Sequence, residues 1–145
     1  MNRYLKKSQT QEVVVMHSKP TQNAFNPISF GPSLWYSLHT AASSISDPIT
    51  VTDKKDWVNL LKSLAVLLPC HACKQHYTDI IKRTDLNQVT NTKKQLFCFL
   101  VDVHNVINLR TNKPEFSYNK AKKLYGYNGG PNLMLFINPD VNIFD

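Results

Sequence analysis

No apolar run in this sequence of 145 residues approaches the ~18 residues that carry a helix across a bilayer, so a membrane span is not expected. The first residues, Met1 to Leu5 and then Lys6-Lys7-Ser8, hold no apolar stretch of the kind that directs secretion; the expectation is a soluble protein made in the cytoplasm. Basic residues outnumber acidic ones by 17 to 10, yet nowhere form a run of five or more. The net charge of +7 therefore reads as a hydrated surface, and nucleic acid is not expected as a partner. Cysteine is scarce: Cys70, Cys73 and Cys98. Three is too few, and odd, for a disulfide-stapled secreted scaffold. Internal repeats and low-complexity tracts are absent too, which excludes solenoids and arrays.

The composition, 42% apolar with 10% aromatic residues, suffices for one globular core in a chain of this length. Residues 1–27 read as a basic arm (Arg3, Lys6, Lys7 and Lys19 against Glu12) in which Val13 to Met16 could form a short strand. Pro32 precedes a helix over 33–44, with Trp35, Leu38, His39 and Ala42 on one face at i, i+3, i+4 and i+7; Asp47-Pro48 breaks it. A second helix is expected over 53–68, its stripe built from Trp57, Leu60, Leu61, Leu64, Leu67 and Leu68. A third begins at Pro69 and runs to about 83, with Tyr77, Ile80 and Ile81 inward. The fourth, 92–109, turns Leu96, Phe97, Leu100, Val103, His104 and Ile107 to the core, and a short fifth runs from a Ser117 cap to Tyr125 with Gly126 as its stop. The tail 127–145 contains the apolar Leu133 to Ile137 and should pack on something. With no convincing strand pair, the expected class is all-α: a four-helix bundle plus a short fifth helix, with N- and C-terminal extensions.

The most informative feature is Pro69-Cys70-His71-Ala72-Cys73. At a helix start, unpaired N–H groups and the helix dipole stabilise a thiolate, and two intervening residues let a disulfide close. A redox dithiol is one reading. Half of a zinc site, with His71, His76 or His104 as further ligands, is a second, although the usual second ligand pair is missing. Two unconnected thiols at a helix end are a third. A thioredoxin-like setting needs a strand before the motif, whereas 57–68 has helical periodicity.

Two further clusters frame the pair. Trp35 and His39 lie four apart on one helix face. His104, Asn105 and Asn108 place three hydrogen-bonding side chains along one edge of an otherwise apolar helix, which is costly unless they find partners. A planar polar ligand would supply partners; so would solvent at a helix end. Cys98, within Leu96-Phe97-Cys98-Phe99-Leu100, reads as a small buried hydrophobe.

In order and separation, Trp35-Tyr36-Ser37-Leu38-His39, Pro69-Cys70-His71-Ala72-Cys73 and His104-Asn105-Val106-Ile107-Asn108 resemble the Erv/ALR family of FAD-linked sulfhydryl oxidases across residues 30 to 125. Phe30-Gly31-Pro32 and the brevity of the domain resemble the versions carried by large DNA viruses. The resemblance implies an oxidase domain over 28–126 with FAD in the mouth of the bundle, and Cys70 and Cys73 as its catalytic pair. It assigns the cofactor site to Gly31, Trp35, His39, His76, Tyr77, His104, Asn105, Asn108, Lys113 and Tyr125, and no metal. Trp35 would stack on the flavin nucleotide, Lys113 would lie near phosphate or adenine, and Tyr125 would pack on adenine. The implied partners are a dithiol substrate protein, thioredoxin-like or itself carrying a Cys-x-x-Cys pair, dioxygen as acceptor, and a second copy in a homodimer. A viral member would act in the infected-cell cytoplasm and in the virion.

The sequence departs from the family twice. Neither 1–30 nor 126–145 contains a cysteine, so the shuttle pair of many members is missing and a separate thiol protein is expected to meet Cys70 directly. The disulfide that many members place between the fourth helix and the segment before the fifth would fall at Val101 and Tyr118, where no cysteine stands; packing of the tail is expected in its place. A zinc-stabilised binding module and a non-catalytic FAD-binding relative are the competing readings.

Overall fold

The structure, a computed structural model, describes residues 25–127. Helices α1 (Pro27–Ser44), α2 (Val51–Ser63), α3 (His71–Lys82) and α5 (Lys93–Arg110) form the bundle, with a single turn α4 (Leu86–Val89) and a short α6 (Tyr118–Leu124). No strand occurs among the described residues. The all-α bundle with a short extra helix is thus as expected. The possible strand at 13–16 and the apolar tail segment at 133–137 lie outside the described residues.

Three boundaries differ from the sequence expectation. Helix α1 starts at Pro27, not after Pro32. Asn26 caps it by accepting the Ile28 N–H at 3.0 Å, and Pro27 occupies the first helical position, where a missing N–H costs nothing. Pro32 then falls inside the helix and deprives only the Ile28 carbonyl of its partner. Helix α2 ends at Ser63 and tightens into a 3-10 turn, Leu64–Leu67. Pro69 disfavours helical backbone at the residue before it, and Leu68 is extended (φ −90°, ψ 108°). The expected stripe loses two members: Leu67, on the 3-10 turn, is 59% exposed, and Leu60, within α2, is 39% exposed. Helix α3 starts at His71, with Cys70 as its cap. The turn α4, capped by the Asp85 carboxylate, was too short to register as a hydrophobic period.

The core joins Leu38 and Ala42 of α1, Trp57 and Leu61 of α2, Tyr77 of α3, Leu96, Phe97, Leu100 and Val101 of α5, and Ala121 of α6, with Tyr125 just beyond it. Helices α1 and α5 share the most extensive contact. Tyr77 ties α3 to α2, its hydroxyl donating to the Leu61 carbonyl at 2.7 Å, close to where the α-helical pattern gives way to the 3-10 turn. Helix α5 ends in a Schellman turn: Lys113 N–H donates to Asn108 O at 2.9 Å and Asn112 N–H to Leu109 O at 3.4 Å. Asn112 takes the left-handed conformation (φ 53°) that asparagine tolerates. Gly126 (φ 66°) makes the same turn after α6, where Tyr127 N–H reaches Lys122 O at 3.1 Å. Where the sequence resemblance would place an interhelical disulfide, near Val101 and Tyr118, Val101 is fully buried and the Tyr118 hydroxyl donates to the Asp102 carboxylate of α5.

Phe97 is fully buried at the centre of this arrangement, against His39 and Tyr127. Phe97→Ala is expected to cost roughly 3–5 kcal/mol of unfolding free energy. Chemical denaturation checks this, and a loss below about 1 kcal/mol would place Phe97 outside the core.

Candidate functional site

Cys70 and Cys73 are joined in a disulfide at the N-terminus of α3, with Cα atoms 5.2 Å apart. The Cys73 N–H also donates to Cys70 Sγ at 3.3 Å, so the first cysteine serves as the helix cap. When the pair is reduced, that N–H and the dipole of α3 favour a thiolate on Cys70.

Cys73 lines a cavity of about 340 Å³ bounded by the first turns of α1, the 3-10 turn, α3 and the end of α5. That volume lies within the usual range of small-molecule sites. Leu34, Leu38, Leu64, Leu68, Val103 and Ile107 make its wall largely apolar. Of the expected site residues, Gly31, Trp35, Tyr77, His104, Asn108 and Lys113 also line it, and Cys70 does not. A Cβ built on Gly31 meets nothing within 4 Å, so that wall is open rather than tight.

Two ring pairs link α1 to α5 and to the end of α6. Trp35 stacks on His104 with centroids 4.2 Å apart and planes 7° off parallel. His39 stacks on Tyr125 at 4.4 Å and 13°. The pairs are joined by a contact of 3.4 Å between His39 Nε2 and His104 Nδ1, one nitrogen carrying the shared proton. His39 is fully buried and His104 nearly so; His39 Nδ1 has no partner. Burial pulls His39 down to about 3, helped by neighbouring His104, and His104 down to about 4, helped by Lys113. Both imidazoles are therefore neutral at physiological pH. Burial raises the Tyr125 phenol, with Tyr36 adding to the effect, and burial likewise raises that of Tyr77.

The remaining expected residues sit elsewhere. His39 and Tyr125 form the layer behind the cavity rather than its wall. Asn105 turns its amide to the backbone of Phe116, donating to its carbonyl at 3.0 Å and accepting its N–H at 2.8 Å. His76 is partly exposed on α3 and is not on the wall. Asn108, by contrast, is on the cavity wall, buried, and donates to the Pro114 carbonyl at 3.4 Å. Two contributors were missed from sequence. Phe116 packs on His104 (5.5 Å) and Tyr125 (6.0 Å); its place just before the Ser117 cap, with Ala121 at the fourth helical position, is the spacing of a hydrophobic staple. The Asn26-Pro27-Ile28 end of α1 also lines the cavity, and Asn-Pro is itself a helix-start signal. Among the described residues, His, Cys, Asp and Glu do not gather in groups of three or more that could hold a metal ion. Nor is any described helix long and apolar enough to cross a membrane.

The profile of the Erv1/Alr family matches residues 32–126, about two thirds of the chain. The chain belongs to the Erv1/Alr family. A Frog virus 3 protein, named provisionally as an FAD-linked sulfhydryl oxidase, is 37% identical over 105 residues, which cover 70% of this chain and 69% of that protein. A protein of Invertebrate iridescent virus 3 with the same provisional name is 35% identical over 94 residues, 65% of this chain and 64% of its own length. The crystal structure of the yeast Erv1 core, 21% identical, superposes with a TM-score of 0.64 over 87% of this chain and 98% of that one, which shows a shared fold. The Erv1/Alr match ends at Gly126, the glycine that closes α6.

The two depressed histidines make acid a specific threat to this fold. An unfolded histidine binds its proton near 6.5, whereas the native pair does so only near 3 to 4. Between those values the unfolded chain holds more protons, so stability falls as pH falls through the window and is insensitive to these groups above about pH 7. The expected loss at pH 5 is on the order of 2 kcal/mol per histidine. Thermal unfolding of the cofactor-free protein at pH 7 and pH 5 measures it; equal midpoints would contradict the buried neutral pair.

Proposed function

We propose that the protein is an FAD-dependent sulfhydryl oxidase, which forms disulfides in substrate thiols and passes the electrons through Cys70 and Cys73 to FAD and then to dioxygen. One observation carries the reading: the disulfide at the start of α3 exposes only its Cys73 member to the cavity that Trp35 and His104 also line. The residues fit a flavin dinucleotide. The slot is apolar and roomy, as a planar ring system requires; His104 and Asn108 offer polar atoms on its wall, and Lys113 brings positive charge for phosphate. Neutral His104 can hydrogen-bond a ring heteroatom without adding a buried charge.

A substrate thiolate attacks Cys70 Sγ, forming a mixed disulfide and releasing Cys73 as a thiolate. The substrate's second thiol then attacks its own sulfur in that bond, leaves as a disulfide and releases Cys70. Two substrate thiols are oxidised, the Cys70–Cys73 bond is reduced, and two protons are released. The N–H groups of the first turn of α3 stabilise the thiolates at each stage. When bound, the flavin supplies a two-electron acceptor that dioxygen reoxidises, giving hydrogen peroxide. Leu34, Leu38, Leu64 and Leu68 give the cavity beside Cys73 an apolar wall, and the stacked Trp35 and His104 line it as well.

Cys98, the one further cysteine of the sequence, is only partly buried rather than a fully buried apolar residue as expected, and that partial burial raises its thiol, with Asp102 adding to the effect. It is unsuited to relay electrons, and a separate thiol protein, thioredoxin-like or carrying its own Cys-x-x-Cys pair, serves as donor to Cys70. The viral relatives support action in the cytoplasm of an infected cell and in assembling virions, and the family membership supports a homodimer.

The purified protein is expected to be yellow and to consume oxygen with a dithiol substrate. Cys73→Ser and Cys70→Ser should each keep the colour and lower dithiol-driven oxygen consumption at least about a hundredfold. A Cys73→Ser protein with undiminished turnover would sink the assignment.

A further inference from the structure

Asn105 stands within the His-Asn-x-x-Asn motif, where contact with the cofactor is expected, yet its amide is occupied. Its Nδ2 donates to the Phe116 carbonyl at 3.0 Å and its Oδ1 accepts the Phe116 N–H at 2.8 Å. A side-chain amide thereby pairs with a backbone residue in both directions, as a neighbouring strand would. Asn105 is not among the residues that line the cavity.

The paired backbone belongs to the loop 111–117, which returns from the end of α5 to the start of α6. That loop carries Lys113 to the cavity and sets Phe116 against His104 and Tyr125. Its near end is fixed by the Schellman turn, in which Lys113 N–H meets Asn108 O at 2.9 Å. Asn108 Nδ2 reaches the Pro114 carbonyl at 3.4 Å, a longer bond. The far end enters α6 through the Ser117 cap, whose hydroxyl accepts the Lys120 N–H at 3.2 Å. Between these anchors, the two Asn105 bonds tie the Phe116 backbone to α5.

We propose that Asn105 is a positioning residue, which clamps the 111–117 loop so that Lys113 is pre-set for the cofactor while Phe116 packs on His104 behind the wall, and that it acts through Lys113 rather than by touching the flavin. The proposal rests on the FAD reading for its consequence but not for the clamp itself. A loop held in its bound arrangement before binding loses less freedom on association, so the clamp raises affinity without a contact of its own.

Two measurements on Asn105→Ala test this. Hydrogen exchange of the cofactor-free protein should show the Phe116 amide and its loop neighbours exchanging at least about tenfold faster, with α1 and the first half of α5 unchanged. Asn105→Asp, which keeps the acceptor for the Phe116 N–H and loses the donor, should fall between wild type and Asn105→Ala; it also serves if the alanine variant does not fold. FAD affinity, followed by flavin fluorescence, should drop about tenfold in Asn105→Ala. It should drop little further when Asn105→Ala is added to Lys113→Ala, because one loss already contains the other. Strictly additive losses, or unchanged loop exchange in the cofactor-free protein, overturn the clamp. Faster loop exchange in a protein that binds no FAD would leave the clamp standing and overturn the oxidase reading instead.

Discussion

Two neutral imidazoles packed between α1 and α5 hold this structure in its working form. His39 and His104 meet nitrogen to nitrogen at 3.4 Å, and each is capped by a parallel ring, Tyr125 on one and Trp35 on the other. Charging either would bury a cation against its twin, with Lys113 adding to the penalty at His104. The arrangement is stable because the interior keeps both uncharged, and the cavity inherits its shape from it. Trp35 and His104 line the cavity while His39 and Tyr125 lie behind them. Trp35 and His104 thus belong both to the most extensive helix contact of the bundle and to its candidate cofactor wall.

The redox pair meets that wall through proline. Pro69 forces Leu68 out of helical backbone, α2 tightens into a 3-10 turn, and the chain re-enters a helix with Cys70 as the cap. Tyr77, one turn beyond Cys73, locks the new helix to the Leu61 carbonyl of the old one. Had α2 run on without interruption, the two cysteines would sit in mid-helix, where their N–H groups are used and no dipole favours a thiolate. The break thus places one sulfur on the cavity and gives both the electrostatics of a helix start.

Much of this was legible because helical spacing is a geometric statement. Residues four apart share a face, so Trp35 with His39 and His104 with Asn108 were identifiable as pairs before any fold was known. Cysteines two residues apart after a proline carried their chemistry in the same way. What escaped was set by backbone rather than by side-chain period. Pro32 looked like a helix start although Asn26 and Pro27 provide a better one five residues earlier. The apolar Leu67 fits the stripe of α2 but faces outward once the 3-10 turn changes the rotation per residue, and Leu60, still within α2, stands at the exposed margin of that stripe. Asn105 looked like a ligand contact, yet its partners are backbone atoms 11 residues away, which no spacing rule connects. Phe116 became visible as a site component only when the loop that carries it was seen folded onto His104.

The central claim is that the Cys70–Cys73 disulfide and a flavin share one electron path inside this cavity. The visible spectrum of the purified protein, recorded without oxygen before and after addition of a dithiol, tests it most directly. The expected result is an oxidised-flavin band that bleaches with dithiol in the wild type, persists with dithiol in Cys73→Ser, and returns in the wild type when air is admitted. A protein without the band, or one whose flavin bleaches equally well in Cys73→Ser, would contradict it.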